Sequence, residues 1–214
     1  MPPAVAALPL PDKEDFESYA TGTQPRLFSD QAGTFEIRAR ADGQGQCLQQ
    51  VLPQKGIEWT GEFNPYSILG EASWSDYEVS TDVRLSTNEW VFLYGRRNSV
   101  PGWSSATPSG YWLAVDNNPG RWELRNASGI IASNAVSFAA GVWHNLRLAM
   151  HGSSLKVWVD GNLVADKVDS TCATGLAALG CGWQNLPQFD NFTIRPLHCG
   201  EPNDTSALGN APRQ

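Results

Sequence analysis

The chain carries two matching acidic-aromatic motifs near its ends, Asp15-Phe16-Glu17 and Phe189-Asp190-Asn191-Phe192, with strand-like sequence filling the stretch between them. A β-sandwich whose first and last strands lie side by side satisfies this pairing. The carboxylates of both motifs then reach one site at the sheet edge, where a hard cation would neutralise them and join the two ends. The expectation is one closed domain.

The clearest local pattern is Tyr77-Glu78-Val79-Ser80-Thr81-Asp82-Val83-Arg84-Leu85. Tyr77, Val79, Thr81, Val83 and Leu85 share one face of a strand, and the polar residues between them share the other. A second unit runs along Trp143 to Met150, turns at His151-Gly152-Ser153-Ser154 and returns along Leu155 to Val159. It turns again at Asp160-Gly161, whose residues tolerate positive φ, so three antiparallel strands in a meander follow. Further strands are read at 34–38, 47–51, 67–70, 90–96, 111–115, 122–126 and 189–195. Twenty Gly and fourteen Pro scattered among short apolar runs suit a fold of many turns, and 17% charged residues is low for a helical protein. The fold class is therefore all-β, an antiparallel two-sheet β-sandwich or jelly roll. At 214 residues one such domain suffices, read here as 13–199. Residues 1–12 read as a flexible linker to an upstream piece and 200–214 as a disordered polar tail.

A net charge of −7 and a pI near 4.9 argue against a nucleic-acid or anionic-membrane surface, which needs clustered Lys and Arg. Neutral sugars stay open as partners. No window is apolar enough over about 18 residues to span a membrane, and the opening Met1-Pro2-Pro3-Ala4-Val5 does not read as a signal peptide. Cys47, Cys172, Cys181 and Cys199 lack zinc spacing. Cys172 and Cys181 flank a Gly/Ala-rich segment able to bend back into a disulfide; the alternative is two reduced cysteines buried as small hydrophobes. Sequons at Asn126, Asn191 and Asn203 point to a secreted glycoprotein and an extracytoplasmic, oxidising compartment.

Several motifs together resemble the concanavalin A-like, laminin-G-like fold: Asp15-Phe16-Glu17, Gly33-Thr34-Phe35-Glu36, Trp74-Ser75-Asp76-Tyr77-Glu78, Gly141-Val142-Trp143-His144, Val159-Asp160-Gly161 and Phe189-Asp190-Asn191-Phe192. Within that fold the chain resembles the C-terminal lectin-like domain of the galactocerebrosidases, glycoside hydrolase family 59. The likeness is strongest in the run from Phe28 to Glu36, in Gln49-Gln50-Val51-Leu52, in Ile57-Glu58-Trp59 and in Gln188 to Phe192. The resemblance implies a lectin-like module that, in the full enzyme, packs beside a (β/α)₈ barrel bearing the catalytic glutamates. Such a barrel needs about 250 residues, for which this chain has no room. Glu17 and Asp190 also resemble the positions that hold structural calcium in many sandwich carbohydrate modules, with backbone carbonyls completing the oxygen shell. The competing role for Asp190 is a hydrogen-bonded cap on the last strand.

Glycoside cleavage needs two facing carboxylates. Glu78 with Asp82 reads as an ordinary solvated sheet face, and Glu58 with Glu62 reads as loop, so no catalytic residue is assigned. His144 is read as structural. Sugars are held by aromatic faces and planar polar side chains, and nine Trp is a high count for this length. The best cluster is Arg96, Asn98, Trp103 and Trp112 around the Gly/Pro/Ser-rich loop 100–108. Trp103 is either a ligand platform or a plug against the sheet, and Trp112 competes for the core. Trp183-Gln184-Asn185 sits on a loop able to line a site, whereas Trp59, Trp74, Trp143 and Trp158 read as packing residues. The expected function is a non-catalytic module binding a galactose-type carbohydrate or glycolipid headgroup. The alternatives are an accessory part of a family 59 glycosidase, with that catalytic domain as partner, and a structural or adhesion module with no sugar site.

Overall fold

In the computed structural model, which describes residues 13–53, 64–98 and 109–197, every regular element is a β-strand. In chain order they are β1 (Ser29–Ala32), β2 (Phe35–Ala39), β3 (Gln46–Gln50), β4 (Tyr66–Leu69), β5 (Tyr77–Arg84), β6 (Trp90–Asn98) and β7 (Ser109–Asp116). The second half adds β8 (Arg121–Asn126), β9 (Gly129–Ala135), β10 (Trp143–His151), β11 (Ser154–Val159), β12 (Asn162–Val168), β13 (Leu176–Cys181) and β14 (Gln188–Pro196). They form two seven-stranded sheets, sheet I in the order β1-β4-β13-β6-β7-β8-β9 and sheet II in the order β12-β11-β10-β5-β14-β3-β2. Both are antiparallel throughout their described pairings, so the expected two-sheet sandwich is the fold observed.

The alternation in β5 decides which face meets the other sheet. Tyr77, Val79, Thr81 and Val83 are buried, and with Leu146, Leu148 and Phe189 of sheet II they face Val91, Leu93, Leu113 and Val115 of sheet I. Each such aliphatic side chain contributes about 1.5–3 kcal/mol on burial. The meander is β10-β11-β12. Its second turn has Asp160 at φ 50° and Gly161 at φ 76°, the left-handed pair that matches the twist of a two-residue hairpin. Asp160 also fixes His144, whose Nδ1 lies 2.7 Å from the carboxylate while its ring stacks on Phe138 at 3.9 Å.

Head and tail are neighbours. Glu14 and Phe192 exchange backbone hydrogen bonds of 2.7 and 2.9 Å, and Phe28 packs against both Phe16 and Phe192. The chemistry of the join differs from the calcium expectation. Asp190 is 2% exposed and takes the Arg40 guanidinium as its counter-charge. Arg40 is itself held by Asp42 at 2.8 Å and lies over the Trp143 ring at 4.3 Å. Glu17 is instead an exposed side chain accepting the Gln46 backbone N–H at 2.9 Å. Among the described residues no three His, Cys, Asp or Glu side chains gather as a metal would require. Glu17 and Asp190 thus do not fit calcium, because a guanidinium tethered to the chain supplies the positive charge.

The Cys172–Cys181 bridge is also corrected. The segment between them does not bend back: it forms β13, paired with β4 and β6 in the interior of sheet I. A six-residue strand extends about 17 Å away from its Cys181 end, whereas a disulfide needs its Cα atoms within about 7 Å. Cys47, Cys172 and Cys181 are free buried thiols, and burial pushes the Cys47 thiol up to about 12. Cys199 lies outside the described residues.

Two sequons are engaged by the fold. The Asn126 side chain is buried, its Nδ2 donating to Asp169 Oδ2 at 3.3 Å and Thr171 Oγ1 at 3.4 Å, so the nitrogen a glycan would need faces the protein. Asn191 Nδ2 donates to Asp82 at 2.6 Å. Asn203 lies outside the described residues.

Burial opposes ionisation of Asp169, but hydrogen bonds from Tyr111, Thr171 and Asn126 outweigh it and hold its carboxyl below the usual range. A depressed folded pKa contributes stability that is complete above the unfolded value and is lost as pH falls through the folded one. Between pH 7 and about pH 3 the wild type should therefore lose more stability in urea titrations than Asp169→Asn, whose profile should be flatter. Arg40→Met should leave the Asp190 carboxylate buried and unpaired, at a cost of about 3 kcal/mol. For a domain of this size that is a fall of about 6–12 °C in Tm by calorimetry, while adding EDTA to the wild type should leave Tm unchanged.

Candidate functional site

Strand β6 reads Trp90-Val91-Phe92-Leu93-Tyr94, apolar on both faces. Val91 and Leu93 enter the core between the sheets, so Trp90, Phe92 and Tyr94 project from the outer face of sheet I. Strand register then aligns side chains in rows across that face. One row is Ile68, Ala178, Tyr94, Trp112 and Arg125; the next is Tyr66, Gly180, Phe92, Ala114 and Glu123; a third is Trp90, Asp116 and Arg121. The rings form a continuous tilted series, with centroids 6.2 Å apart for Trp90 and Phe92, 5.9 Å for Phe92 and Tyr94, and 6.1 Å for Tyr94 and Trp112.

The small side chain of Ala114 leaves room between the rings. The result is an open depression of about 560 Å³ lined by Trp90, Phe92, Trp112, Arg125, Trp183, Gln184, Asn185 and Asn64, among others. Its rim is fixed by backbone bonds. Asn185 Oδ1 accepts the Trp90 N–H at 2.9 Å, and Gly182 N donates to Trp90 O at 3.0 Å. This clamp presents Trp183, 36% exposed, followed by the amides of Gln184 and Asn185.

The charges on this face are arranged around one buried acid. Glu123, 1% exposed, lies between Arg121 at 2.7 Å and Arg125 at 2.6 Å. Arg121 also sits over the Trp90 ring at 5.9 Å, and Arg97 over Tyr66 and Tyr94 at 4.8 and 4.6 Å. Stacking platforms, amides and oriented guanidinium groups are the equipment for gripping a pyranose, whose C–H face meets a ring while its hydroxyls take polar partners.

Of the four residues expected to bind, Trp112 alone among the described ones lines the depression. Arg96 is corrected. A bulge between Gly95 and Asn98 shifts the alternation, placing Arg96 at φ 49° with its side chain 1% exposed. Its guanidinium donates to Ser75 O at 2.7 Å, Gly152 O at 2.8 Å and Cys172 O at 3.0 Å, and reaches Asp76 at 3.2 Å. Arg97 takes the outward place instead. Asn98 is half-buried opposite Ser109 at the end of β6, and Trp103 lies outside the described residues, as do Trp59, Glu58 and Glu62. The residues missed from sequence are Trp90, Phe92 and Arg125. The doubly apolar run of β6 is the signal that its second face is also covered or used. The other acids are engaged elsewhere: Glu78 faces Arg147 and Arg195, and Asp82 binds Asn145 and Asn191.

The family model for the galactocerebrosidase C-terminal lectin domain matches residues 30–197. The chain belongs to this family. It is 29% identical over 204 residues to the galactocerebrosidase of Canis lupus familiaris, covering 91% of this chain and 30% of that protein. The galactocerebrosidase of Danio rerio is 30% identical over 185 residues, covering 78% of this chain and 26% of the relative. The chain thus spans under a third of the length of the relatives it matches. Among solved structures, a carbohydrate binding module from Bacillus subtilis superposes with a TM-score of 0.59 at 19% identity, covering 79% of this chain and 96% of the module. A Bacillus subtilis protein with a galectin-like fold gives a TM-score of 0.59 at 12% identity, covering 79% and 89%. These likenesses establish the sandwich fold that this family member shares.

Gly180 is a close-packed point of the sheet that carries the depression. A Cβ there would come within 2.8 Å of Pro65 O and 3.0 Å of the Tyr94 ring. Gly180→Ala should push Tyr94 toward Trp112 and cost about 1–3 kcal/mol in urea unfolding, because backbone on one side cannot yield.

Proposed function

We propose that this galactocerebrosidase-type lectin domain is a non-catalytic carbohydrate-recognition module, and that its site is the outer face of sheet I. The observation that carries the reading is the depression formed by Trp90, Phe92, Trp112 and Trp183 beside Arg125, Gln184 and Asn185. Family membership and the fold shared with a carbohydrate binding module support the sugar class. A galactose-type ligand is proposed from the family's name. The same reading puts the chain outside the cytoplasm, where glycans are displayed. Trp103 is kept as a further contact on its sequence context alone. Recognition rather than cleavage is supported by the described lining, which offers rings, amides and one guanidinium where hydrolysis calls for two facing carboxylates.

A second reading has its own support: the chain corresponds to 30% of the canine relative, so it is also proposed as the accessory part of a family 59 glycosidase whose barrel lies elsewhere. The two readings share one binding face.

Calorimetric titration with galactan oligosaccharides checks the site. Trp112→Ala and Trp183→Ala should each weaken binding by roughly tenfold, which corresponds to about 1.4 kcal/mol of lost ring contact. Unchanged affinity in both variants would remove this face from consideration. Absence of binding by the wild type across a broad glycan array would favour a structural or adhesion module.

A further inference from the structure

We infer that the saccharide taken by the outer face of sheet I carries an anionic group, a uronate carboxylate or a sulfate ester, and that Arg125 receives it. The inference rests on the carbohydrate-binding reading above and adds the ligand's charge. Among the described residues lining the depression Arg125 is the one with a formal charge, in a chain whose net charge is −7. The local sign is therefore opposite to that of the molecule.

Two guanidinium groups, Arg121 and Arg125, flank the single carboxylate of Glu123. Arg125 is thus held beside the aromatic platform by its ion pair with Glu123 while part of its guanidinium stays open to solvent. Both arginine side chains retain access to solvent, at 44% and 34% exposure, whereas Glu123 has 1% and cannot itself meet a ligand. The other acids near this end of the sheet are withdrawn. Asp116, opposite Arg121, is buried and accepts the Asn118 N–H at 2.9 Å. Glu89 is buried and holds Ser86 and Leu186 N.

Position completes the argument. Arg125 is the direct cross-strand partner of Trp112, so about 4.8 Å of sheet separates the two backbones. A pyranose stacked on Trp112 places an exocyclic substituent over the guanidinium. That group's planar fork matches carboxylate and sulfate oxygens two at a time.

The test is calorimetric titration of the whole chain with length-matched neutral galactan, galacturonan and sulfated galactan oligosaccharides. At about 50 mM salt at least one acidic series should bind tenfold or more tightly than the neutral one, and the preference should shrink at about 500 mM as the charge is screened. Arg125→Met should bring the acidic and neutral affinities together. Which acidic series is preferred distinguishes carboxylate from sulfate. Equal affinity of the wild type for neutral and acidic ligands would overturn the inference and leave the carbohydrate reading standing. Failure to bind any of the three would count against both. If Arg125→Met does not fold, the salt dependence of the wild type decides.

Discussion

The buried guanidinium of Arg96 is the contact on which the binding face depends. It ties the segment before β5, through Ser75 and Asp76, to the β10–β11 turn at Gly152 and to Cys172 ahead of β13. Its own backbone N–H donates to the Tyr77 hydroxyl at 2.6 Å, and that hydroxyl donates onward to Gly175 O at 3.0 Å. Removing a charge from water is costly, and here three carbonyls and a carboxylate offset the loss. Satisfying Arg96 in this way requires the bulge in β6 and a left-handed backbone at a residue with a Cβ. The same bulge turns Arg97 outward over Tyr66 and Tyr94. Core and surface on this strand are thus set by one irregularity.

Closure of the sandwich follows a similar logic. The ends meet through a backbone bridge, a cluster of phenylalanines and the Arg40–Asp190 pair. A metal or a disulfide would perform the same join in a way that depends on ion supply or redox state. An ion pair built from two side chains responds to neither. The buried thiols fit this picture, since burial first and nearby carboxylates second push Cys47, Cys172 and Cys181 above the ordinary thiol range.

With the inner faces filled by aliphatic and aromatic side chains, the outer face of sheet I is left with a use that packing does not explain. Strands of nine and eight residues with rings on the outside would be a liability in a bare sheet. Here the rings stack on one another, arginines lie over them, and the 182–185 loop frames what stays open. Arg121 covers aromatic surface while keeping its charge in water, whereas Arg97 is buried over its rings.

The sequence by itself determined the class of fold, because period-two alternation, as in Tyr77 to Leu85, admits only a half-buried strand. It also determined the turn at Asp160-Gly161, where both residues accept positive φ, and the neighbouring of the two ends. It located Trp112 and Trp183 among the residues with a surface to offer. Tertiary structure decided the rest. Whether Ala173 to Gly180 is a loop or an interior strand depends on β4 and β6 arriving on either side of it, which no local pattern announces. Whether Asp190 meets a metal or Arg40 depends on a residue 150 positions away. Arg96 and Arg97 exchange roles because a bulge adds one residue to β6 and so reverses the facing of everything after it. Alternation is local and can be read along the chain; register, bulges and partners of buried charges are set by contacts between distant segments, and only the folded sheets fix them.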